Sequence, residues 1–572
     1  MGNKVKPLRE KNHFENVREL IEYVDREFKE RVAFRYRKKP HDKEAVCVSY
    51  ENFAADVRAL ATEMVAEGYC GKHCAVIGKH SYGWIRIYFA LLSIGAVIVP
   101  LDRDWAAEDL ADTVSKAEAF CILADKDIAE KTAYIANACG IEKTVLIDGE
   151  GEGSIDGMAE AGAKKMAEGD RGYYDAPIDP DVLASLVFTS GTTGKGKGVM
   201  LSQRNFISDL CDVIPFMDFS VRCMNVLPPH HTYGSSVTMF GQVSIGCDIY
   251  ISSGVKYILK ELKEHKPGHL VAVPLYVETF YRRILKGIEE KGAFAAGFVK
   301  ALIKINRAAH KIGLKPFDGF FRKKILANFG GELNMIISGG APLNQEMADL
   351  FDAIGVKVLN GYGITECAPI IAVNHNAYII PKAVGIVLPI ETVRINEPNE
   401  DGEGEIFVKG PNVMLGYFKD DEANREAFSE DGFFKTGDYG KLEYDKWGNR
   451  ILYITGRLKN LIILSNGKNV YPEEIEDALA ATPGVLEIIV YEGKSKRGGE
   501  YNAIVAEIFP DKDYLDANGI DDKQEYFQKY VTAYNKTAVP YKKIGLLKVR
   551  DEEFPKNTLR KILRRKIDMT ID

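Results

Sequence analysis

Residues 181–198 read DVLASLVFTSGTTGKGKG, and this stretch decides how the chain is interpreted. Its first half is a β-type run, and it leads straight into a loop carrying Gly191, Gly194, Gly196 and Gly198. Glycines at that density let the backbone approach a ligand closely and take up positive φ. Thr189, Ser190, Thr192 and Thr193 add hydroxyl donors, and Lys195 and Lys197 add positive charge. Backbone amides and hydroxyls around such a turn suit a polyphosphate. A solvated glycine hairpin is the bland alternative. The loop is nearly a Walker loop, G-x-x-x-x-G-K-[ST], because Gly191, Gly196 and Lys197 fit it. The last position, which should supply a magnesium-holding hydroxyl, is Gly198.

Outward from this loop, the pattern is that of an α/β protein. From Ser49, SYENFAADVRALATEMVAEG has apolar residues at helical spacing and stops at Gly68. CAVIGKH follows as a strand, SYGWIRIYFALLSIG as a helix and AVIVPL as a strand, and the alternation continues through IEKTVLID. Such alternation is expected to give layered sheets with largely parallel strands. GEGEGSIDG, from Gly149, reads as a surface loop, and residues 255–330 read as helical and basic. From Glu391 to Ile454, short β-like runs between Pro, Asn, Asp and Gly suggest a smaller β-rich subdomain. GRLKN at Gly456 reads as a connector to a last small domain of mixed α and β.

The totals bound what this architecture can do. A chain of 572 residues should divide into about three to four structural units. Its net charge of −7 gives no sequence-wide affinity for nucleic acid or anionic lipid. The nine cysteines include no C-x-x-C, no zinc spacing and no disulfide framework, which points to a reduced cytoplasm. The opening MGNKVKPLREKNHF lacks the apolar segment of a signal peptide, and Lys6 breaks a myristoylation motif after Gly2. IYFALLSIGAVIVPL, from Ile87, is too short to span a bilayer and reads as a buried helix running into a buried strand.

FTSGTTGKGKGVMLSQRN, from Phe188, resembles the signature loop of the acyl-adenylate-forming superfamily, which includes acyl-CoA synthetases, luciferases and peptide-synthetase adenylation domains. The family loop runs T-S-G-T-T-G-x-P-K-G-V, so the one departure is Gly196 for Pro. Further motifs follow in the family's order. LPPHHTYG matches the segment that sets a His or aromatic residue beside the carboxylate substrate, here His231. ISGGAPLN matches the segment along the adenine face, with Gly339, Gly340, Ala341 and Pro342. In NGYGITECAP the resemblance implies that Tyr362 stacks on adenine, Thr365 meets a phosphate and Glu366 binds magnesium. Asn360, Gly361 and Gly363 belong to the same nucleotide segment. A carboxylate with phosphate oxygens suits a hard cation.

DGFFKTGDYGKL resembles the ribose-binding segment, with Asp438 accepting from the two ribose hydroxyls. YITGRLKN matches the domain junction, with Arg457 at ribose or phosphate and Lys459 at the hinge. ILSNGKNVYPEEIEDAL matches the start of the mobile domain, with Gly467 near the pantetheine tunnel. PKNTLRKILRR aligns the catalytic lysine with Lys561, although Arg560 replaces the family's Gly. A basic amphipathic helix remains the plain reading of that last run. The resemblance runs from about Tyr50 to Arg565, and implies an N-terminal domain over 1–456 and a mobile C-terminal domain over 457–572.

The chemistry so implied is attack of a carboxylate on the α-phosphate of ATP, giving acyl-AMP and pyrophosphate, followed by thioester formation with CoA. ATP, magnesium and CoA are the expected cofactors. The helical insertion between Tyr281 and Leu333 resembles that of long-chain fatty acyl-CoA synthetases. Val273, Leu275, Tyr276, Met239 and Phe240 are then candidates for the acyl channel, with ordinary core as the alternative. The basic helices from Lys300 to Lys324 could rest on a membrane, or be a solvated face. An aryl-acid or medium-chain acid:CoA ligase, a ligase loading an acyl carrier protein, a P-loop phosphotransferase and a non-catalytic nucleotide-binding relative are the competing readings.

Overall fold

The computed structural model describes residues 4–189, 196–310, 312–340, 345–380, 382–464, 469–480, 482–494, 503–556 and 562–571. Ser190, Gly191, Thr192, Thr193, Gly194, Ala341, Pro342, Gly467 and Lys561 lie outside the described residues.

The alternating pattern builds a seven-stranded sheet. Helix Tyr50–Ala66 starts where Ser49 accepts from the Asn52 amide, and ends ahead of Gly68, whose φ is +80°. Helix Tyr82–Ser93, capped by Ser81, has almost no polar residue and is buried nearly all round. Phe89 of that helix packs edge-on to Phe53 and against Phe240. Burying one such side chain is worth about 1.5–3 kcal/mol, so this helix is a main anchor of the core. Strands His73–Ile77, Val97–Leu101, Cys121–Ala124, Thr144–Leu146 and Leu183–Thr189 form the parallel part of the sheet. Lys197–Ser202 then pairs antiparallel with Leu183–Thr189, the two strands that flank the glycine loop in sequence.

A second sheet has thirteen strands. Its centre is six parallel strands, Lys357–Gly363, Met335–Gly339, His269–Ala272, Arg222–Asn225, Asp248–Ile251 and Val32–Tyr36. The β-rich stretch expected from Glu391 onward continues this sheet as an antiparallel wing, through Gly385–Val387, instead of closing on itself. Gly416–Tyr417 leaves the wing and pairs with Lys197–Ser202 of the other sheet. The stretch 255–330 is not uniformly helical, because His269–Ala272 is a buried central strand. A run of four residues is too short for periodicity to separate strand from helix.

Beyond the 3₁₀ turn Leu458–Asn460, a small domain forms around a three-stranded sheet, Val485–Gly493, Ala503–Pro510 and Leu546–Val549. Helices Pro472–Ala480 and Lys523–Thr537 contribute Ile475, Leu479, Phe527 and Val531 to its core. It meets the large domain through Arg282, which pairs with Asp511 and donates to the Val485 carbonyl. Near the chain end, Ile562 and Ile567 pack beside Phe554, and the only regular turn described there is the 3₁₀ segment Arg564–Lys566.

Candidate active site

Antiparallel pairing sets Thr189 opposite Lys197 at the base of the glycine loop. The Lys197 ammonium lies 4.8 Å from the centre of the Tyr417 ring. The Tyr417 hydroxyl donates to Glu366 Oε1 at 3.0 Å. These three residues, far apart in sequence, thus form one line from the glycine loop to the predicted magnesium carboxylate. Tyr417 reaches it because Gly416–Tyr417 pairs with Met200 and Val199. Sequence reading missed Tyr417, and no local signal marks a two-residue strand.

Glu366 sits in the short 3₁₀ turn Thr365–Cys367 after strand Lys357–Gly363. That turn doubles the chain back sharply. A Cβ on Gly363 would lie 1.9 Å from the Pro369 carbonyl oxygen, so only glycine fits. The Met414 amide donates to the Glu366 carbonyl at 2.8 Å and holds the turn. Burial pushes the Glu366 carboxyl above the usual carboxylate range, against the opposing pull of a backbone amide, the Tyr417 hydroxyl and the Arg457 charge. A half-buried carboxylate in this state fits a cation that would restore its charge balance, so Glu366 could hold one.

A second group lies on the antiparallel wing. Strand register sets Asp438 opposite Arg457, and the Arg457 Nε is 2.9 Å from Asp438 Oδ1. The Tyr362 hydroxyl donates to Asp438 Oδ2 at 2.6 Å. Asp438 is buried while Arg457 reaches solvent, and the Asp438 charge holds the Arg457 guanidinium protonated even more firmly than usual. Strand Arg450–Arg457 runs on past Gly456, so Arg457 is a strand residue fixed by pairing. Lys459 follows in the 3₁₀ turn and is exposed. Asn360, Gly361 and Tyr362 are on strand Lys357–Gly363, which pairs with Met335–Gly339, so Gly339 and Gly361 are register partners. Gly340 follows with φ +86°.

Beside Tyr362, with Gly361 and Gly363 in its lining, is a small cavity of about 40 Å³. Val213, Met217, Tyr233, Val237, Ile337 and Ile370 supply most of its apolar wall. Gly339 and Gly361 form its strand side, and a Cβ on Gly339 would sit 3.0 Å from the Tyr233 ring. Val273, Leu275, Tyr276, Met239 and Phe240 do not line it. Met239 and Phe240 are fully buried core, with Phe240 stacked on Phe206 at 5.4 Å. Apolar character alone does not separate a core wall from a cavity wall.

His231 is half-buried before the π-helix Tyr233–Gly241, with its ring 4.3 Å from that of His230. His230 Nε2 lies 3.8 Å from the buried Asp102 carboxylate. His80 and His230 each bury an Nε2 without a hydrogen-bond partner among the described residues. Burial lowers both to about 4. His269, held between the Ser220 amide and Gln242 Oε1, is lowered by burial to about 3. Cys223, Cys247 and His269 have ligand atoms within 4.8 Å of one another, but His269 is already satisfied there and the trio is core, apart from this site.

These three histidines make stability depend on pH. The folded values lie below the ordinary 6.5, so the unfolded chain takes up protons first as pH falls. The stabilisation is complete above about 6.5 and is lost as pH drops toward 4, by roughly 3 kcal/mol per histidine. The urea midpoint is therefore expected to fall between pH 7 and pH 5, and His230→Gln to flatten that slope. An unchanged slope in the variant would show that His230 is not held neutral.

The base of the glycine loop, the Glu366 carboxylate and the Asp438–Arg457 pair thus come together beside an apolar cavity. The model of the AMP-binding enzyme family matches residues 21–418. The chain belongs to this family and is an AMP-forming acid–thiol ligase. It is 29% identical over 461 residues to the long-chain-fatty-acid–CoA ligase FadD15 of Mycobacterium bovis, covering 76% of this chain and 74% of that protein. It is 27% identical over 518 residues to the chloroplastic long-chain-fatty-acid–[acyl-carrier-protein] ligase AEE15 of Arabidopsis thaliana, covering 78% and 70%. Its fold is similar to that of ATP-bound MatB from Rhodopseudomonas palustris, with a TM-score of 0.74, 25% identity and coverage of 96% and 97%.

Proposed function

We propose that the protein activates a medium- to long-chain fatty acid with ATP, releasing pyrophosphate, and passes the acyl group from the adenylate to CoA. The observation that carries this reading is the convergence of Lys197–Tyr417–Glu366 and Tyr362–Asp438–Arg457 beside an apolar cavity. The aliphatic walls of the cavity suit an alkyl chain over a charged one. The similar mycobacterial and plant proteins, both named for long-chain fatty acids, support the same substrate class. The plant protein's carrier-protein acceptor makes an acyl carrier protein the second reading for the thiol. An aryl acid is the alternative for the acid. The phosphotransferase reading is set aside, because Gly198 has no hydroxyl for magnesium and the family forms AMP.

In this reading Asp438 accepts from the ribose hydroxyls, Tyr362 lies against adenine, and Arg457 meets ribose or phosphate. Asn360, Gly361, Gly363, Gly339, Gly340, Ala341 and Pro342 shape the nucleotide cleft. Thr189, Ser190, Gly191, Thr192, Thr193, Gly194 and Lys197 cradle the phosphates, with Thr365 as a further donor. Glu366 holds magnesium, which supplies positive charge to the phosphates when bound. His231 stands beside the carboxylate and Lys561 approaches it from the small domain. The small domain, from residue 457 on, then turns about Lys459 for the thiol step and opens the pantetheine path past Gly467. The same reading puts the enzyme in the cytoplasm, in peripheral contact with a membrane. Among the described residues, no helix is long and apolar enough to cross one.

The test is a panel of acids from acetate to oleate, with benzoate and a coumarate, in ATP, magnesium and CoA, read as AMP and pyrophosphate. AMP formation is expected to peak at a medium or long alkyl chain and to require CoA. Pyrophosphate exchange without CoA turnover would favour the carrier protein, and a peak at benzoate would favour the aryl reading. ADP as product would overturn the assignment.

A further inference from the structure

Helix Ala293–His310 turns one face inward and leaves the other without a partner. Ala296, Val299 and Asn306 are its buried residues. Asn306 anchors it by donating to the Ala353 carbonyl and to Asp318 and by accepting from the Phe317 amide. On the outer face, Phe294, Phe298, Ala301, Ile305 and Ala308 recur at steps of four and three, so they form one stripe along the axis. Phe294 is 92% exposed, Phe298 57% and Ile305 53%, and Ile312 (74%) and Leu314 (59%) extend the apolar surface past the helix end. Single exposed apolar residues are ordinary, but a contiguous stripe containing two phenylalanines marks an interaction surface.

Charge identifies the partner. Residues 291–324 hold nine Lys and Arg and a single acidic residue, Asp318, in a chain of net charge −7. Lys300, Arg307 and Arg322 pair with Glu289, Asp349 and Glu332. Lys291, Lys304, Lys315, Lys323 and Lys324 have no carboxylate within ion-pairing distance among the described residues. Exposed aromatic and aliphatic side chains on a helix that also carries the unpaired Lys304, within a segment rich in unpaired lysines, fit a surface that is apolar at depth and negative at its face.

We propose that this helix face docks the enzyme on membranes containing anionic lipid, with Phe294, Phe298, Ile305 and Ile312 entering the acyl boundary and the lysines meeting the headgroups. The proposal specifies the membrane contact named above and does not depend on which acid is activated. The hydrogen-bonded Asn306 keeps the helix rigidly presented, so no folding on binding is needed.

Vesicle flotation of the full chain at about 0.15 M ionic strength tests it, using phosphatidylcholine alone and phosphatidylcholine with phosphatidylglycerol. Binding is expected only with phosphatidylglycerol. The triple change Lys304→Gln, Lys323→Gln, Lys324→Gln should weaken it on the order of a hundredfold. The triple change Phe294→Ser, Phe298→Ser, Ile305→Ser should abolish it. AMP formation on octanoate, measured in parallel, should stay unchanged in both variants. Absence of binding to phosphatidylglycerol vesicles overturns the proposal, as does full binding by the Phe/Ile variant. A dimer that becomes monomeric in the Phe/Ile variant, with no vesicle binding, would assign the face to a second copy instead. Loss of AMP formation by the unaltered enzyme on every acid would overturn the ligase reading and leave the flotation result standing.

Discussion

Glu366→Gln is expected to lose AMP formation by about a hundred- to a thousandfold while the protein folds as well as before or better. Adenylation brings a carboxylate against the phosphates of ATP. At 4 Å two such charges repel by about 4 kcal/mol at an effective dielectric near 20. Glu366 is the carboxylate on which a cation able to offset that repulsion can be held, and Gln has no charge to hold it. Gln keeps the shape and can still accept from the Tyr417 hydroxyl that now bonds Oε1. Because burial raises the Glu366 carboxyl, folding disfavours its charged form relative to the unfolded chain, and a neutral isostere escapes that penalty. The checks are the adenylation rate against magnesium concentration and the urea midpoint. A Gln variant with an unchanged rate would remove Glu366 from the metal site. A large fall in stability would mean that its role is structural.

Lys561→Ala is expected to separate the two half-reactions. In the proposed reading Lys561 is part of the mobile C-terminal domain, and the resemblance aligns it with the lysine that meets the reacting carboxylate and phosphate during adenylation. Removing one such donor typically costs about 2.7–4 kcal/mol, or a hundred- to a thousandfold. The thiol step starts from an adenylate already made, and in the two-state account it runs with Lys561 turned away. Acyl transfer to CoA from a supplied acyl adenylate should therefore continue near the normal rate in the same variant. Two measurements on one preparation decide the matter: pyrophosphate release from ATP and acid, and thioester formation from synthetic adenylate. Equal loss in both would contradict rotation of the small domain between two competent states.

The part of this protein that was legible in its sequence is the part encoded by neighbouring residues. The strand running into the glycine loop, the helix running from Ser49 to Gly68, the buried helix at Tyr82 and the strand after it are set by local periodicity and turn residues, and all take the form their residues indicate. The order of the nucleotide motifs was legible only through the family resemblance, although one of their glycines is also demanded by the fold. Gly363 against the Pro369 carbonyl shows the constraint directly. Tertiary structure alone decided what pairs across long separations. Tyr417 meets Glu366 and Lys197 only because a two-residue strand crosses to the other sheet. The β-rich stretch became the wing of a thirteen-stranded sheet because register, a property of two chains at once, joined it to the parallel centre. The cavity walls followed from packing, which leaves space beside Val213, Met217 and Val237 and none beside Met239 or Phe240. Hydrophobicity is a property of a residue, whereas an empty volume is a property of how many residues meet.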